Sequence, residues 1–217
     1  MKRAQGFSLV ELMISLALGL VISGAIIQVF VSSSVTNKLN QAVSQVQESG
    51  RYITSRLSSE FYEIGRYDTI VASIDDSVDT VAEAGFIENR PIGLAGDFAS
   101  NATLGSTQAS SGASDELVVS LLALADCTGS KHGYAADDEF HVVNRYYVSG
   151  NEFRCTGYDG RVLRGLKTQS VSPNTVTLLD NVSNFQLQYG VSDVAENSNG
   201  QAITYVTADR LAALRAQ

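Results

Sequence analysis

The side chains at the amino terminus have the types and spacing of a processing site that precedes a membrane-spanning helix. Two cations, Lys2 and Arg3, come before Gly6 and Phe7, and the apolar run that follows carries one charge, Glu11. A conventional secretory signal has its small-residue cleavage site after the apolar stretch. Here the candidate cleavage site comes before that stretch, so the apolar segment would remain on the mature protein.

The apolar segment has the length of a single membrane crossing. Residues 12–31 form a run of twenty residues without a charge, which as a helix spans roughly 30 Å, about one bilayer core. Lys2 and Arg3 would hold the preceding residues in the cytoplasm by the positive-inside rule, with the rest of the chain outside the inner membrane. A buried core helix is a poor alternative, because soluble cores seldom need twenty continuous apolar residues.

Glu11 is costly within such a segment unless it lies near the interface or finds a partner. Ser8 and Glu11 have the spacing of a capping box, in which the serine caps the helix and the glutamate accepts from the serine amide. A carboxylate in the first turn also suits the helix dipole. The sequence therefore predicts that a helix begins at Ser8.

This amino-terminal pattern resembles the class III signal of type IV prepilins and pseudopilins. The resemblance implies cleavage between Gly6 and Phe7 by a prepilin peptidase and N-methylation of Phe7. It also implies that Glu11 pairs with the Phe7 α-ammonium of a neighbouring subunit and so sets axial register during assembly. The matching residues are Lys2, Arg3, Gly6, Phe7, Ser8, Leu9, Val10, Glu11 and Leu12.

The fold implied by this resemblance is an α+β, type IV pilin-like fold, in which a long helix packs on an antiparallel β-sheet domain. After a leader at 1–6, the helix would have a transmembrane and assembly half at 7–31 and an amphipathic half at 32–67. The amphipathic half shows one apolar stripe at helical spacing, which should face the globular domain as far as about Gly65. The stripe consists of Val35, Leu39, Val43, Val46, Gly50, Ile53, Leu57, Phe61 and Ile64.

The remainder of the chain divides by composition. Residues 68–114 are rich in Gly, Ser, Ala, Asp and Asn, which predicts a long variable loop region, with Asp75, Asp76 and Asp79 in a solvated acidic loop. Residues 115–217 have the pattern of an antiparallel sheet domain. We expect hairpin turns at 149–151 and 158–160. The predicted strands are 117–122, 140–148, 152–155, 162–166, 175–179, 185–190 and 202–206.

Further segments resemble the PilW group of minor pilins, which is related to GspJ-type pseudopilins. Similar proteins continue into a closing strand, so we expect the sheet to lack its carboxyl-terminal strand and the chain to be truncated at Gln217. The segments that carry this resemblance are 47–52, 63–67, 114–117, 126–127, 144–148, 151–155 and 182–189.

The two cysteines, Cys127 and Cys155, are the remaining candidates for covalent chemistry. With the domain outside the inner membrane, a disulfide is the expected state, whereas a reducing cytosol would favour thiols or metal ligands. Zinc is the competing interpretation and needs two more ligands. The chain offers only His132 and His141, which lack the usual paired spacing.

Composition narrows the possible functions. Formal charge is −8 and becomes −10 once the leader removes Lys2 and Arg3, which argues against nonspecific nucleic-acid binding. No nucleophile-elbow, zinc-protease, C-x-x-C or phosphate-loop motif occurs. We therefore predict no catalytic residues, no metal, no cofactor and no enzyme activity.

The resemblance implies a minor pilin that joins the tip or priming complex of a type IV pilus and supports assembly of the fibre. Its partners would be other minor pilins, the major pilin, the prepilin peptidase and the inner-membrane assembly platform. The chain would cross the inner membrane once with a periplasmic domain, then lie in the fibre at the cell surface. The alternatives are a GspJ-like minor pseudopilin of type II secretion, a tip adhesin or DNA-uptake subunit using the 68–114 loop, and a membrane-tethered enzyme.

Overall fold

The computed structural model describes residues 8–68, 73–110, 112–192 and 202–216. Gly6, Phe7 and Gln217, which the sequence analysis singled out, lie outside these residues. The chain divides into two compact units, Met1–Thr54 and Ser55–Gln217. The first unit contains most of helix α1 (Leu9–Tyr62), whose last two turns belong to the second unit.

Helix α1 forms because its sequence from Ser8 onward contains no proline and offers a cap at its start. It ends at Tyr62, slightly before the predicted end at Gly65. Gly65 has a φ of 75°, which favours glycine, and a Cβ there would lie 2.7 Å from the Pro91 Cβ. Along the apolar stripe, the valines and leucine from Val35 to Val46 are exposed, whereas Leu57 and Phe61 are half-buried.

The second unit contains a four-stranded antiparallel sheet with strand order β1-β2-β3-β4. A separate two-stranded antiparallel sheet pairs β5 with β6. Together with α1, this confirms the predicted α+β class with a long amino-terminal helix and an antiparallel sheet. The strands are β1 (Leu117–Ala123), β2 (Phe140–Ser149), β3 (Glu152–Asp159), β4 (Asn174–Asp180), β5 (Tyr189–Val191) and β6 (Thr204–Val206).

The predicted hairpin at 149–151 is confirmed. Gly150 and Asn151 join β2 to β3 with φ values of 60° and 64°. Two successive left-handed residues are what a tight hairpin turn requires, and Gly and Asn adopt that conformation most readily.

The segment from 73 to 110 contains structure that its composition did not predict. Helix α2 (Thr80–Asn89) begins where the Asp79 carboxylate accepts from the Val81 and Ala82 amides, both at 3.0 Å. Asp79 is therefore a helix cap, not part of a solvated acidic loop. The segment also supplies core residues, since Ile87 and Phe98 are completely buried.

Two predicted strands are wrong in type or extent. Residues 160–163 form a short helix, α3 (Gly160–Leu163), where a strand was expected at 162–166. The cause is local, because Asp159 accepts from the Arg161 amide at 2.8 Å and so caps a helical turn where a hairpin turn was expected. The strand expected at 185–190 is confined to β5. The last helix, α4 (Ala208–Arg215), was not predicted.

Candidate functional site

The first turn of α1 holds Glu11 in a local capping arrangement. The Ser8 amide donates to Glu11 Oε2 at 2.9 Å, and the Val10 amide donates to Ser8 Oγ at 3.4 Å. Two amides at the helix start thus find partners within the same turn, as in a capping box. The carboxylate is exposed at the positive end of the helix dipole, where it remains accessible to another molecule.

The surface that follows Glu11 is apolar on all sides of the helix. Leu20 is 69% exposed and Phe30 is 73% exposed, and the other large apolar side chains from Leu9 to Val31 are exposed to a similar degree. By length and composition α1 qualifies as a membrane-crossing helix. An apolar surface of this extent requires a bilayer or other helices to cover it. Pairing of Glu11 with a Phe7 amine stays a prediction.

The two cysteines are joined in a disulfide. The Cα atoms of Cys127 and Cys155 are 6.4 Å apart, and the bond ties the loop after β1 to the middle of the sheet. Cys155 is completely buried on β3, and Cys127 is nearly so. The Cys127 amide donates to Asn144 Oδ1 at 3.0 Å.

The carbonyl of Cys127 contacts the end of α1. Arg56 Nη2 donates to this carbonyl at 2.9 Å, and Arg56 Nε donates to Glu60 Oε1 at 3.0 Å. The Tyr146 hydroxyl donates to the other oxygen of Glu60. Burial raises the pKa of Tyr146, and the neighbouring Glu60 carboxylate raises it further, so the hydroxyl keeps its proton and acts as the donor.

His132 forms a buried contact with Asp126. His132 Nε2 lies 2.8 Å from Asp126 Oδ2, and both side chains are buried. Burial alone would raise the pKa of Asp126, but hydrogen bonds from His132, Thr128 and the Ser130 amide lower it overall.

His141 lies in β2 and is completely buried. Neither of its ring nitrogens has a hydrogen-bond partner among the described residues. Burial lowers its pKa to about 3, with further lowering by the Arg164 and Arg161 charges. Within residues 8–68, 73–110, 112–192 and 202–216, no three His, Cys, Asp or Glu side chains are placed to hold a metal ion.

A buried ionic cluster surrounds Arg161, which is completely buried. Its Nε donates to Glu83 Oε2 at 2.7 Å and its Nη2 donates to Glu83 Oε1 at 2.8 Å, and Glu83 is also completely buried. Asp75 accepts from Arg161 through both its carboxylate and its carbonyl. Burial alone would lower the pKa of Arg161, but Glu83 raises it overall. Arg161 therefore keeps its proton, and its paired hydrogen bonds with Glu83 join α2 to α3.

Sequence reasoning missed this cluster because its members are far apart in the chain: Asp75 and Glu83 lie in the predicted loop region, and Arg161 lies between a predicted turn and a predicted strand. A single signal was available: Asp159 followed by Gly160 also fits a helix cap. The cluster explains how the 73–110 segment is fixed to α3, and its side chains serve the fold.

Comparison with known proteins places a functional motif at the amino terminus. Residues 1–27 match the family model described as the prokaryotic N-terminal methylation motif. No curated protein and no solved structure matched the chain. The motif supports a type IV pilin or pseudopilin that a prepilin peptidase processes and that assembles with other pilins. It indicates a structural subunit rather than an enzyme, and with the apolar helix it supports membrane anchoring.

Proposed function

We propose that this chain is a minor pilin of the PilW kind. It is cleaved between Gly6 and Phe7, N-methylated on Phe7, and incorporated at the tip or in the priming complex of a type IV pilus. The observation that carries the proposal is the combination of the methylation motif with one exposed carboxylate, Glu11, at the head of an exposed apolar helix.

The apolar helix supplies the cohesion of the polymer. The bilayer covers it while the subunit is stored in the inner membrane, and the helices of sister subunits cover it in the fibre. Lateral packing of apolar helices alone gives weak axial register, because neighbouring side chains are chemically alike. A single carboxylate in the first turn, facing the single Phe7 ammonium of a neighbour, gives one favoured axial position.

The second unit lies outside the inner membrane in this proposal, where a disulfide between Cys127 and Cys155 is the expected state. Its sheet domain meets the other minor subunits. The assembly platform extracts the subunit from the membrane, and the complex of minor pilins then primes or caps the fibre.

The register role is tested by Glu11→Gln, which keeps the side-chain shape and removes the charge. The full chain is expressed in its pilus-bearing host, and its amount in sheared fibres is compared with its amount in the membrane. We expect at least a ten-fold loss from the fibre fraction, with the protein still made and cleaved. Glu48→Gln is the matched control, since Glu48 is an exposed glutamate outside the apolar run of the same helix. Normal incorporation of Glu11→Gln would contradict the register role.

Two further measurements test processing and the choice of machine. Intact mass should show a mature chain that starts at N-methylated Phe7, and a mature chain that retains residues 1–6 would end the proposal. Affinity capture after crosslinking in intact cells should recover minor pilins and the major pilin. Recovery of type II secretion pseudopilins instead would assign the chain to the secretion machine.

A further inference from the structure

The last two turns of α1 are held to the sheet by hydrogen bonds that form a closed circuit together with the disulfide and one cross-strand residue pair. Arg56 reaches the Cys127 carbonyl and also Glu60, and Glu60 receives the Tyr146 hydroxyl. Tyr146 lies opposite Cys155 in the register of β2 and β3, and Cys155 is bonded back to Cys127. The circuit thus consists of Arg56, Glu60, Tyr146, Cys155 and Cys127, and is called the docking circuit below.

The disulfide is the one covalent contact across this circuit. Cys127 follows β1 in a loop whose turn is organised by Asp126, and Asp126 Oδ1 accepts from Thr128 and Ser130 within that same loop. Those hydrogen bonds lie within the loop, and the Asp126 carboxylate also packs on the backbone of Gly157 in β3. The Cys127 amide bond to Asn144 fixes one end of the residue, and the disulfide fixes its side chain.

The hydrogen bond from Arg56 to the Cys127 carbonyl depends on the placement of Cys127, and it is charge-assisted. Arg56 and Glu60 are half-buried, with side-chain exposures of 29% and 25%. A half-buried guanidinium gains most from an acceptor that is held in a fixed position. A carbonyl that moves away no longer accepts its hydrogen bond. Phe61 adds an edge-to-face contact with Tyr146 at a centroid distance of 6.0 Å. Within the docking circuit, the end of α1 therefore contacts β2 through Tyr146, which meets both Glu60 and Phe61.

We propose that the Cys127–Cys155 disulfide is a redox-dependent latch for the last two turns of α1. With both thiols reduced, the Cys127 carbonyl leaves Arg56, and residues 55–62 open from the sheet. Oxidation removes two electrons and two protons from the thiols and reduces a disulfide-bearing oxidant to its dithiol. This step rests on the proposed location of the domain outside the inner membrane. Residues 55–62 would then be held against the sheet only after export and oxidation.

The latch is tested by hydrogen–deuterium exchange on the full chain in detergent micelles. Three states are compared: oxidised, reduced with a phosphine, and the Cys127→Ser/Cys155→Ser variant. We expect amides 55–62 to exchange about ten-fold faster or more in the reduced chain and in the variant. A change of this size is expected because one charge-assisted hydrogen bond is lost. Amides of β1 and β2 should keep their protection.

Arg56→Gln tests whether the disulfide acts through the guanidinium. In the oxidised protein this variant should reproduce the faster exchange at 55–62, and reduction should then add little, because the two changes break the same circuit. Arg51→Gln is the matched control, since Arg51 is an exposed arginine on the same helix. It should leave exchange at 55–62 unchanged.

Three outcomes would overturn the latch. Equal exchange at 55–62 in the oxidised and reduced chains would show that the disulfide does not control the helix end. Equal acceleration by reduction in the wild type and in Arg56→Gln would show that the two act independently. Loss of protection throughout β1 and β2 on reduction would show that the disulfide stabilises the sheet as a whole and not the helix end in particular. All three are measured on purified protein, so they are separate from the fibre-incorporation result that tests the proposed function.

Discussion

The imidazole of His141 lies directly against the backbone of Gly160. A Cβ built on Gly160 would be 2.4 Å from both Cγ and Nδ1 of the ring. The ring is completely buried on β2, and Gly160 begins the short helix α3. The close approach of this ring to the α3 backbone is possible because residue 160 has no side chain.

Gly160→Ala should therefore destabilise the domain by roughly 1–3 kcal/mol, the usual cost of overfilling a core. The measurement is urea unfolding of the micelle-bound chain, followed by near-ultraviolet circular dichroism of the tyrosines, since the chain has nine tyrosines and no tryptophan. Adding His141→Ala should recover part of the loss by opening space. Gly85→Ala is the control: a Cβ there meets nothing within 4 Å. In the interior of α2 that change should be neutral or stabilising. An unchanged stability for Gly160→Ala would contradict the contact.

Burial of His141 should make stability depend on pH. Its pKa is lowered to about 3 by burial and by the Arg164 and Arg161 charges, whereas the unfolded chain takes up the proton near pH 6.5. The neutral, buried His141 therefore contributes its full share to the free energy of unfolding above pH 6.5, and this contribution is lost as the pH falls toward 3. The slope reaches at most about 1.4 kcal/mol per pH unit for one proton.

The His141→Phe variant isolates this effect. Between pH 6.5 and 5 the wild-type free energy of unfolding should fall more steeply than that of the variant. Asp75 and Asp126 also have lowered pKa values, but their stabilisation is lost as the pH falls through still lower values. Parallel pH profiles for the two proteins would rule out His141 as the titrating group.

Much of the fold could be predicted from local pattern. The first-turn cap at Ser8 and Glu11, the four long strands and the tight turn at Gly150 and Asn151 each follow from residues that are close in sequence. These elements need no distant partner to specify their conformation, so periodicity and turn chemistry are sufficient.

The missed elements depend on contacts between distant segments. Helix α2 has ten residues, too few for a clear period, and it is fixed by burial of Ile87 and by the ion pair of Glu83 with Arg161. Residues 158–160 fit a hairpin turn by sequence, and the contact with His141 on another strand is not visible there. The assembly role of Glu11 requires a neighbouring subunit, so it stays a prediction.

The Asp79 cap provides a further test of α2. Asp79→Ala removes the acceptor for the Val81 and Ala82 amides and should cost about 1 kcal/mol in free energy of unfolding. Asp76→Ala is the matched control, because Asp76 is an exposed aspartate three residues earlier. The two variants remove the same charge from the same segment, so a difference between them measures the cap. Equal stabilities would show that Asp79 does not support the helix.

Replacing Arg161 with Met should be the most damaging of these changes, because it leaves Glu83 charged and completely buried without its bidentate partner. Breaking a buried ion pair from one side costs about 3–5 kcal/mol. Arg164, whose Nη1 lies 3.6 Å from Glu83 Oε2, should offset a small part of this loss in free energy of unfolding.

The double variant Arg161→Met/Glu83→Leu separates the loss of the ion pair from the isolation of a charge. It removes both charges and should be more stable than Arg161→Met alone, since apolar residues of similar volume replace buried ion pairs at little cost. Arg66→Met is the control: it breaks an exposed pair with Glu63, and exposed pairs contribute about 1 kcal/mol or less. Urea unfolding of the three variants measures these differences. A double variant that is less stable than Arg161→Met would mean that Glu83 supports α2 independently of Arg161.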